Sequence, residues 1–254
     1  MTRTKPRSPL LSTVIALVVG VFGVVVLGWL GTWQLQRLAW KEAILTEIET
    51  RIAADPRPLP ETFDPERDRY LPVEVTGTIG AEPILILASV KEVGAVHRVL
   101  GVLTTDDGRR ILIDRGVRPF GDPLPDEGEI TGTFTGNLHW PDELNKYTPE
   151  RDESGLWFAR DVPTLSEVYG TEPTLLVLRH AEPASATVTP LPVSTQGIPN
   201  DHLGYAVQWF GLALVWAGMT VYFLWSIRRR KQIPAGRRTD TDPGAAAPAP
   251  SDAE

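Results

Sequence analysis

The chain has 254 residues, 42% of them hydrophobic, a formal net charge of −7 and no cysteine. Lacking cysteine, it can use no disulfide, no thiol redox chemistry, no thiolate-based copper transfer and no covalent c-type heme linkage. The charge is uneven: Leu38 to Asp201 carries 15 basic and 28 acidic residues, a net −13, which argues against nucleic acid or anionic lipid as partners of that stretch.

Arg3, Lys5 and Arg7 open the chain, and no charge follows until Arg37. The apolar run inside that window, Leu10 to about Leu30, is long enough to cross a hydrocarbon core of roughly 30 Å. It exceeds a usual signal-peptide core and no Ala-x-Ala pattern follows, so an uncleaved anchor is expected. A second charge-free run lies between His202 and Arg228. Arg228, Arg229, Arg230, Lys231, Arg237 and Arg238 follow it, and by the positive-inside rule both termini are expected in the cytoplasm. The segment between the helices is then expected on the opposite side, which is the periplasm if the source is a Gram-negative bacterium. The expected layout is a basic tail (1–9), a first transmembrane helix (10–33), its continuation beyond the membrane (34–55), a mostly-β extracytoplasmic domain (56–199), a second transmembrane helix (200–227) and a basic, then disordered tail (228–254).

Within the first helix, Gly20, Gly23, Gly28 and Gly31 permit close helix approach; in the second, Gly204, Gly211 and Gly218 repeat every seven residues. These features predict that the two helices pack together, or that one stripe serves another protein. Leu38, Leu45, Ile48 and Ile52 keep helical spacing past the membrane, until Asp55-Pro56-Arg57-Pro58 ends the helix. Strand-like runs follow at Tyr70–Ile79, Pro83–Val90, Val96–Leu103, Arg110–Val117, Glu129–Leu138, Leu156–Ala159 and Thr174–Arg179, separated by turn residues. Their spacing predicts a small barrel or sandwich. Pro163–Gly170 reads as a short helix, with Thr164 as N-cap and Gly170 as stop. A proline-rich connector, 182–199, returns the chain to the membrane. The fold class is therefore two transmembrane α-helices with an intervening mostly-β domain of α+β character.

Motifs for catalysis are missing. The four histidines, His97, His139, His180 and His202, share no local metal-binding spacing. There is no phosphate loop and no nucleophile elbow. Asp114-Arg115-Gly116 ends an apolar strand, where Gly supplies a bend and Asp114 can pair Arg115 or a nearby amide; Arg115 facing a ligand is the sharper reading. Trp157 and Phe158 fill core and edge positions most simply. Trp33, Arg37 and Trp40 share one helix face at the outer boundary. They form either an aromatic belt with a snorkelling cation or a cluster that receives a ligand. His202 opens the second membrane helix behind Asn200 and Asp201, both good N-caps. It is either a solvated boundary residue or, as a neutral imidazole, a heme-iron ligand flanked by Tyr205 and Trp209.

Four blocks occur in family order. They are Gly31-Thr32-Trp33-Gln34 with Arg37 and Trp40-Lys41; Ile113-Asp114-Arg115-Gly116; Trp157-Phe158 with Arg160-Asp161; and Asn200-Asp201-His202-Leu203-Gly204-Tyr205 with Trp209-Phe210-Gly211-Leu212. Together they resemble the surfeit locus protein 1 family over roughly residues 10 to 227. The resemblance implies a non-enzymatic assembly factor, a chaperone for heme-copper cytochrome c oxidase of the respiratory chain. It implies two spans around an outward-facing domain and transient binding of heme a. The implied partners are the oxidase catalytic subunit and the heme a synthesis machinery. Carried over by position, His202 is the candidate ligand of heme iron. Trp33, Gln34, Arg37, Trp40, Tyr205 and Trp209 would shape the site, and Arg115 would meet a propionate or support the domain. The family strand commonly reads Arg-Gly-Trp-Val-Pro where this chain has Arg115-Gly116-Val117-Arg118-Pro119. A heme-free scaffold docking on oxidase subunits is the alternative; an enzyme built on a carboxylate pair is a third reading with no motif behind it.

Overall fold

A computed structural model describes residues 9–91, 93–122, 127–196 and 198–231. The expected tails, 1–8 and 232–254, lie outside the described residues. The chain divides into two compact units: Met1–Ala39 with Asn200–Glu254, and Trp40–Pro199.

The first unit is a helix pair. Helix α1, Pro9–Ile52, runs unbroken for 44 residues, about 66 Å at 1.5 Å per residue. That is roughly twice a hydrocarbon core, so the helix is long enough to cross a membrane and to continue well beyond it. Helix α3, His202–Lys231, has 30 residues (α2 lies between them in the chain). Both are long and apolar enough to cross a membrane. They pack antiparallel: Gly20, Gly23 and Gly31 of α1 lie under Thr220, Trp216 and Phe210 of α3. A Cβ on Gly31 would meet the Phe210 ring at 2.7 Å. The Trp216 indole N–H donates to the Gly20 carbonyl at 3.1 Å, which satisfies a polar group that lipid could not. The packed stripe of α3 is Ala206 and Ala213, both buried, with Trp209, Trp216 and Thr220 between and beyond them. Its glycines take no part: Gly204, Gly211 and Gly218 have open space where a side chain would stand. Helix packing thus uses only the α1 glycines, because the aromatic knobs come from α3.

The second unit starts with the last part of α1, from Trp40 to Ile52. The Ile52 carbonyl at its end accepts from Asn137 Nδ2 and Arg179 Nη1, each at 3.1 Å, so side chains satisfy the frayed helix terminus. Among the described residues seven strands follow: β1 (Arg57–Pro58), β2 (Pro72–Ile79), β3 (Ile84–Val90), β4 (Gly94–Thr105), β5 (Arg110–Pro119), β6 (Ile130–His139) and β7 (Glu172–Glu182). Their order is β1-β2-β6-β7-β5-β4-β3, with β2 also pairing β4. That last pairing closes β2, β6, β7, β5 and β4 into a barrel, with β3 outside as the partner of β4. Closure falls at Gly77 opposite Thr105, where a Cβ would strike the Thr104 carbonyl. Strand β5 runs parallel to β7 and β1 runs parallel to β2; the other pairings are antiparallel.

Val73, Val75, Ile79, Leu103, Phe134 and Leu138 fill the barrel with Ile111, Ile113, Leu176 and Leu178. The alternate residues Leu112, Leu175 and Val177 face outward, under helix α2 (Val162–Tyr169) and its Leu165. Both faces of β5 and β7 are therefore buried, which explains their unbroken apolar runs. The N-cap of α2 is Asp161, whose carboxylate accepts from the Thr164 N–H at 3.1 Å. Thr164 is the third residue inside, because Pro163 already occupies the first turn. Gly170 ends the helix in the left-handed conformation, as expected. Leu156–Ala159 is not a strand: only Trp157 bridges to Ile86, and the chain then leaves the edge of β3.

Candidate functional site

Asp201 holds the N-cap position of α3, since its carbonyl accepts the Tyr205 N–H at 3.2 Å. His202 begins the helix, and its Nδ1 lies 2.8 Å from Oε1 of Gln34 on α1. With the amide oxygen accepting, Nδ1 carries the proton and Nε2 keeps its lone pair. Nε2 has no hydrogen-bond partner among the described residues. Both side chains are half-buried. Tyr205, about half exposed, and half-buried Trp209 follow His202 along α3. On α1, Trp33 and Arg37 are exposed. Trp40, also exposed, belongs to the second unit. Gln34 and His202 are tied to each other by that hydrogen bond.

Arg115 stands elsewhere, in the β unit. Gly116 pairs Val99 and Asp114 pairs Leu100, so Arg115 is the extra residue of a bulge. Its guanidinium is paired with Glu127, which also accepts from Ser185 at 2.9 Å and from Thr187. Burial works to raise the Glu127 pKa, but hydrogen bonds from Thr187, Arg115 and Ser185 hold the carboxyl below its usual range. Arg115 lines a cavity of about 330 Å³ beside Phe134 and Leu178.

Asp114 accepts the Gly116 N–H at 3.1 Å, the nearby amide anticipated for it. Its cation partners are not Arg115 but Arg98 and Arg160, both on one oxygen, Oδ2, with Arg160 at 3.1 Å. Arg160 is also bonded through Nε to Glu143 at 3.0 Å. The side chain of Asp114 is wholly buried. Arg98 and Glu143 were not anticipated. Arg98 carried a signal: Val96, Arg98 and Leu100 share one face of β4, and its two neighbours there are buried. Glu143 carried none, because it lies in an irregular loop. His139 lies near this cluster, stacked on Tyr70 with ring centroids 5.4 Å apart. Burial, then the charges of Arg160 and Arg69, push its pKa down to about 4.

Residues 21–214 match the model of the SURF1 family. The chain belongs to the SURF1 family. The human "Surfeit locus protein 1" is 29% identical over 212 residues, covering 72% of this chain and 69% of that protein. The Xenopus tropicalis protein of the same name is 30% identical over 213 residues, 72% and 67%. A "SURF1-like protein" of Monosiga brevicollis is 27% identical over 243 residues, 83% and 88%. The family match encloses Trp33, Gln34, Arg37, Trp40, Arg115, His202, Tyr205 and Trp209, as well as Asp114 and Arg160. At the departure from the family strand, Arg118 is 6% exposed, and its Nε and Nη1 have no partner among the described residues. It stands across the ladder from His97, whose pKa falls through burial and the Arg118 charge.

Proposed function

We propose that this protein is an assembly factor for heme-copper cytochrome c oxidase, anchored in the bacterial inner membrane with both termini cytoplasmic and its β unit periplasmic. Its cargo would be heme a on the way to the oxidase catalytic subunit, and His202 would hold the iron. It works without catalysis, in company with the heme a synthesis machinery. Family membership supports the assembly role. The observation that carries the heme reading is the His202–Gln34 hydrogen bond. Histidines that ligate metals donate their second ring N–H to a fixed acceptor, which sets the tautomer and aims the other nitrogen. Gln34 is such an acceptor and leaves Nε2 available. When bound, heme a supplies the redox-active iron; the chain orients the imidazole, and the aromatic side chains of Tyr205 and Trp209 offer apolar surface. Arg115, already paired with Glu127, serves the β unit in this reading. The test is the absorption spectrum of the purified protein made in cells that synthesise heme a. A heme spectrum that His202→Ala changes or removes is expected; an unchanged spectrum and affinity takes His202 out of the ligand set.

A second reading, a heme-free scaffold, draws on a different observation: the open glycine face of α3 at Gly204, Gly211 and Gly218. Small residues facing lipid allow a further helix to approach closely. Copurification of a stoichiometric oxidase-subunit complex without heme favours it.

A further inference from the structure

The Ile113–Gly116 and Trp157–Asp161 blocks play no part in the helix pair, yet the fold brings them together through the Asp114–Arg160 ion pair. Beside that pair lies a cavity of about 830 Å³. Its size falls within the roughly 300–1,000 Å³ of ligand pockets. Its lining combines apolar Ile86, Val90, Phe158 and Leu191 with Lys91, Arg98, Arg160 and Glu143, and Ile86 pairs with Arg98 across the β3–β4 ladder. With Asp114, which pairs both arginines, the described residues here set three cations against two carboxylates. The two arginines share a single carboxylate oxygen that is itself wholly buried. Arg160 is bound by Asp114 at Nη1 and by Glu143 at Nε and Nη2, and Arg98 by Asp114 at Nε and by the Leu191 carbonyl at Nη2, at 3.3 Å; a guanidinium carries five N–H donors, so each keeps N–H groups for a further acceptor. His139 also lines the cavity, and its Nδ1 is buried without a partner among the described residues.

We propose that this cavity binds a carboxylate carried on an apolar body, its anionic group held by Arg98 and Arg160 and its body against Ile86, Val90 and Phe158. One carboxylate balances the surplus positive charge, and guanidinium groups suit its two oxygens. Electrostatics agree. Burial disfavours the Arg98 charge, Asp114 opposes that effect and Arg160 adds to it, and the net result lowers the Arg98 pKa. An incoming anion relieves this cost. It also raises the pKa of His139, which neighbouring arginine charge now depresses.

The site is independent of the proposal for His202, and its test uses the full chain in lipid nanodiscs. The probes are 2-naphthoate and its neutral isostere 2-naphthamide, read by equilibrium affinity and by the ring resonances of His139. Naphthoate is expected to bind at least tenfold more tightly than naphthamide and to shift the His139 titration upward. Arg98→Gln brings naphthoate down to the level of the amide. Ala88→Trp fills the cavity while every charged residue is kept, and abolishes binding of both; it decides the matter if Arg98→Gln does not fold. His202→Ala leaves naphthoate affinity unchanged. Absence of naphthoate binding, equal affinity for acid and amide, or binding that survives Ala88→Trp overturns the proposal.

Discussion

The two units handle polar groups in opposite ways. In the β unit, Arg98, Asp114, Glu143 and Arg160 form a charged cluster that fastens the loop after β6 to β4 and β5. In the helix pair, packing is done by Gly20, Gly23 and Gly31 against aromatic and threonine side chains, and one neutral hydrogen bond joins His202 to Gln34. Buried charges in a barrel wall hold segments in place, and losing one leaves its partner stranded. His202 is only half-buried and makes one hydrogen bond to Gln34, whose net contribution to stability is about 1 kcal/mol. The β-unit cluster should therefore dominate stability, and the helix-pair histidine should dominate binding.

The strongest test of that contrast is Asp114→Asn. It leaves Arg98 and Arg160 facing each other without their shared anion. A loss of about 3–5 kcal/mol is expected, measured from the denaturant midpoint of the full chain in detergent. A change below 1 kcal/mol would show the cluster to be incidental. The next effect is set by pH. The folded pKa of His139, about 4, lies below its ordinary 6.5. Between those values the unfolded chain binds a proton that the folded chain does not. Stability is thus complete above about pH 6.5 and falls as pH drops toward 4, by roughly 3 kcal/mol. His139→Gln should flatten that slope in a pH series of unfolding curves. Glu143 adds a separate loss at lower pH: burial opposes its ionisation, but Arg160 holds its pKa below the usual range. Its contribution disappears as pH falls through that lowered value.

Smaller effects belong to the helices. Gly23→Leu puts a side chain where the Trp216 indole lies, and about 1–3 kcal/mol of destabilisation follows from overpacking. Gly211→Leu meets open space and should leave the unfolding midpoint within about 0.5 kcal/mol. If Gly211→Leu abolishes oxidase assembly while the protein stays folded, the glycine face of α3 is a docking face. Smallest in stability and largest in binding is Gln34→Ala. It removes the acceptor that orients His202, and a heme affinity loss of about 10–100-fold is expected from the loss of such a partner. Unfolding curves should not move. A variant that unfolds early yet binds heme normally would reverse the contrast between the units.

Much of this architecture was legible in the residues. Charge-free runs ending at Arg37 and beginning after His202 marked the two long apolar helices that are candidate membrane spans, because no charge sits cheaply in hydrocarbon. The continuous spacing of Leu38, Leu45, Ile48 and Ile52 showed that α1 continues past its apolar run to Ile52, and Pro56 showed where it must stop. Six of the seven strand-like runs became β2 to β7. The seventh, Leu156–Ala159, has strand-like composition but only one bridge, because β3 is short and the chain turns inward at Arg160. The Thr164 cap was misplaced by three residues, since Asp161 is the better acceptor and Pro163 fits the first turn.

What local pattern determined was the elements: periodicity, charge and turn residues act within a few positions, and they settled the helices, most strands and the entrance of His202 into α3. Only the tertiary structure decided the pairings that join distant positions. The closure of β2 on β4, the parallel match of β5 with β7, and the meeting of Arg98, Asp114, Glu143 and Arg160 depend on register across long separations, which apolar alternation does not encode. The same holds for the glycines. A repeat of seven marks a face on α3 but not its neighbour, and it was the bulk of Trp216 and Phe210 that turned the α3 glycines away from α1. For His202, the sequence supplied an imidazole at a helix start; packing of the two helices supplied Gln34, and with it a reason for one nitrogen to be left free.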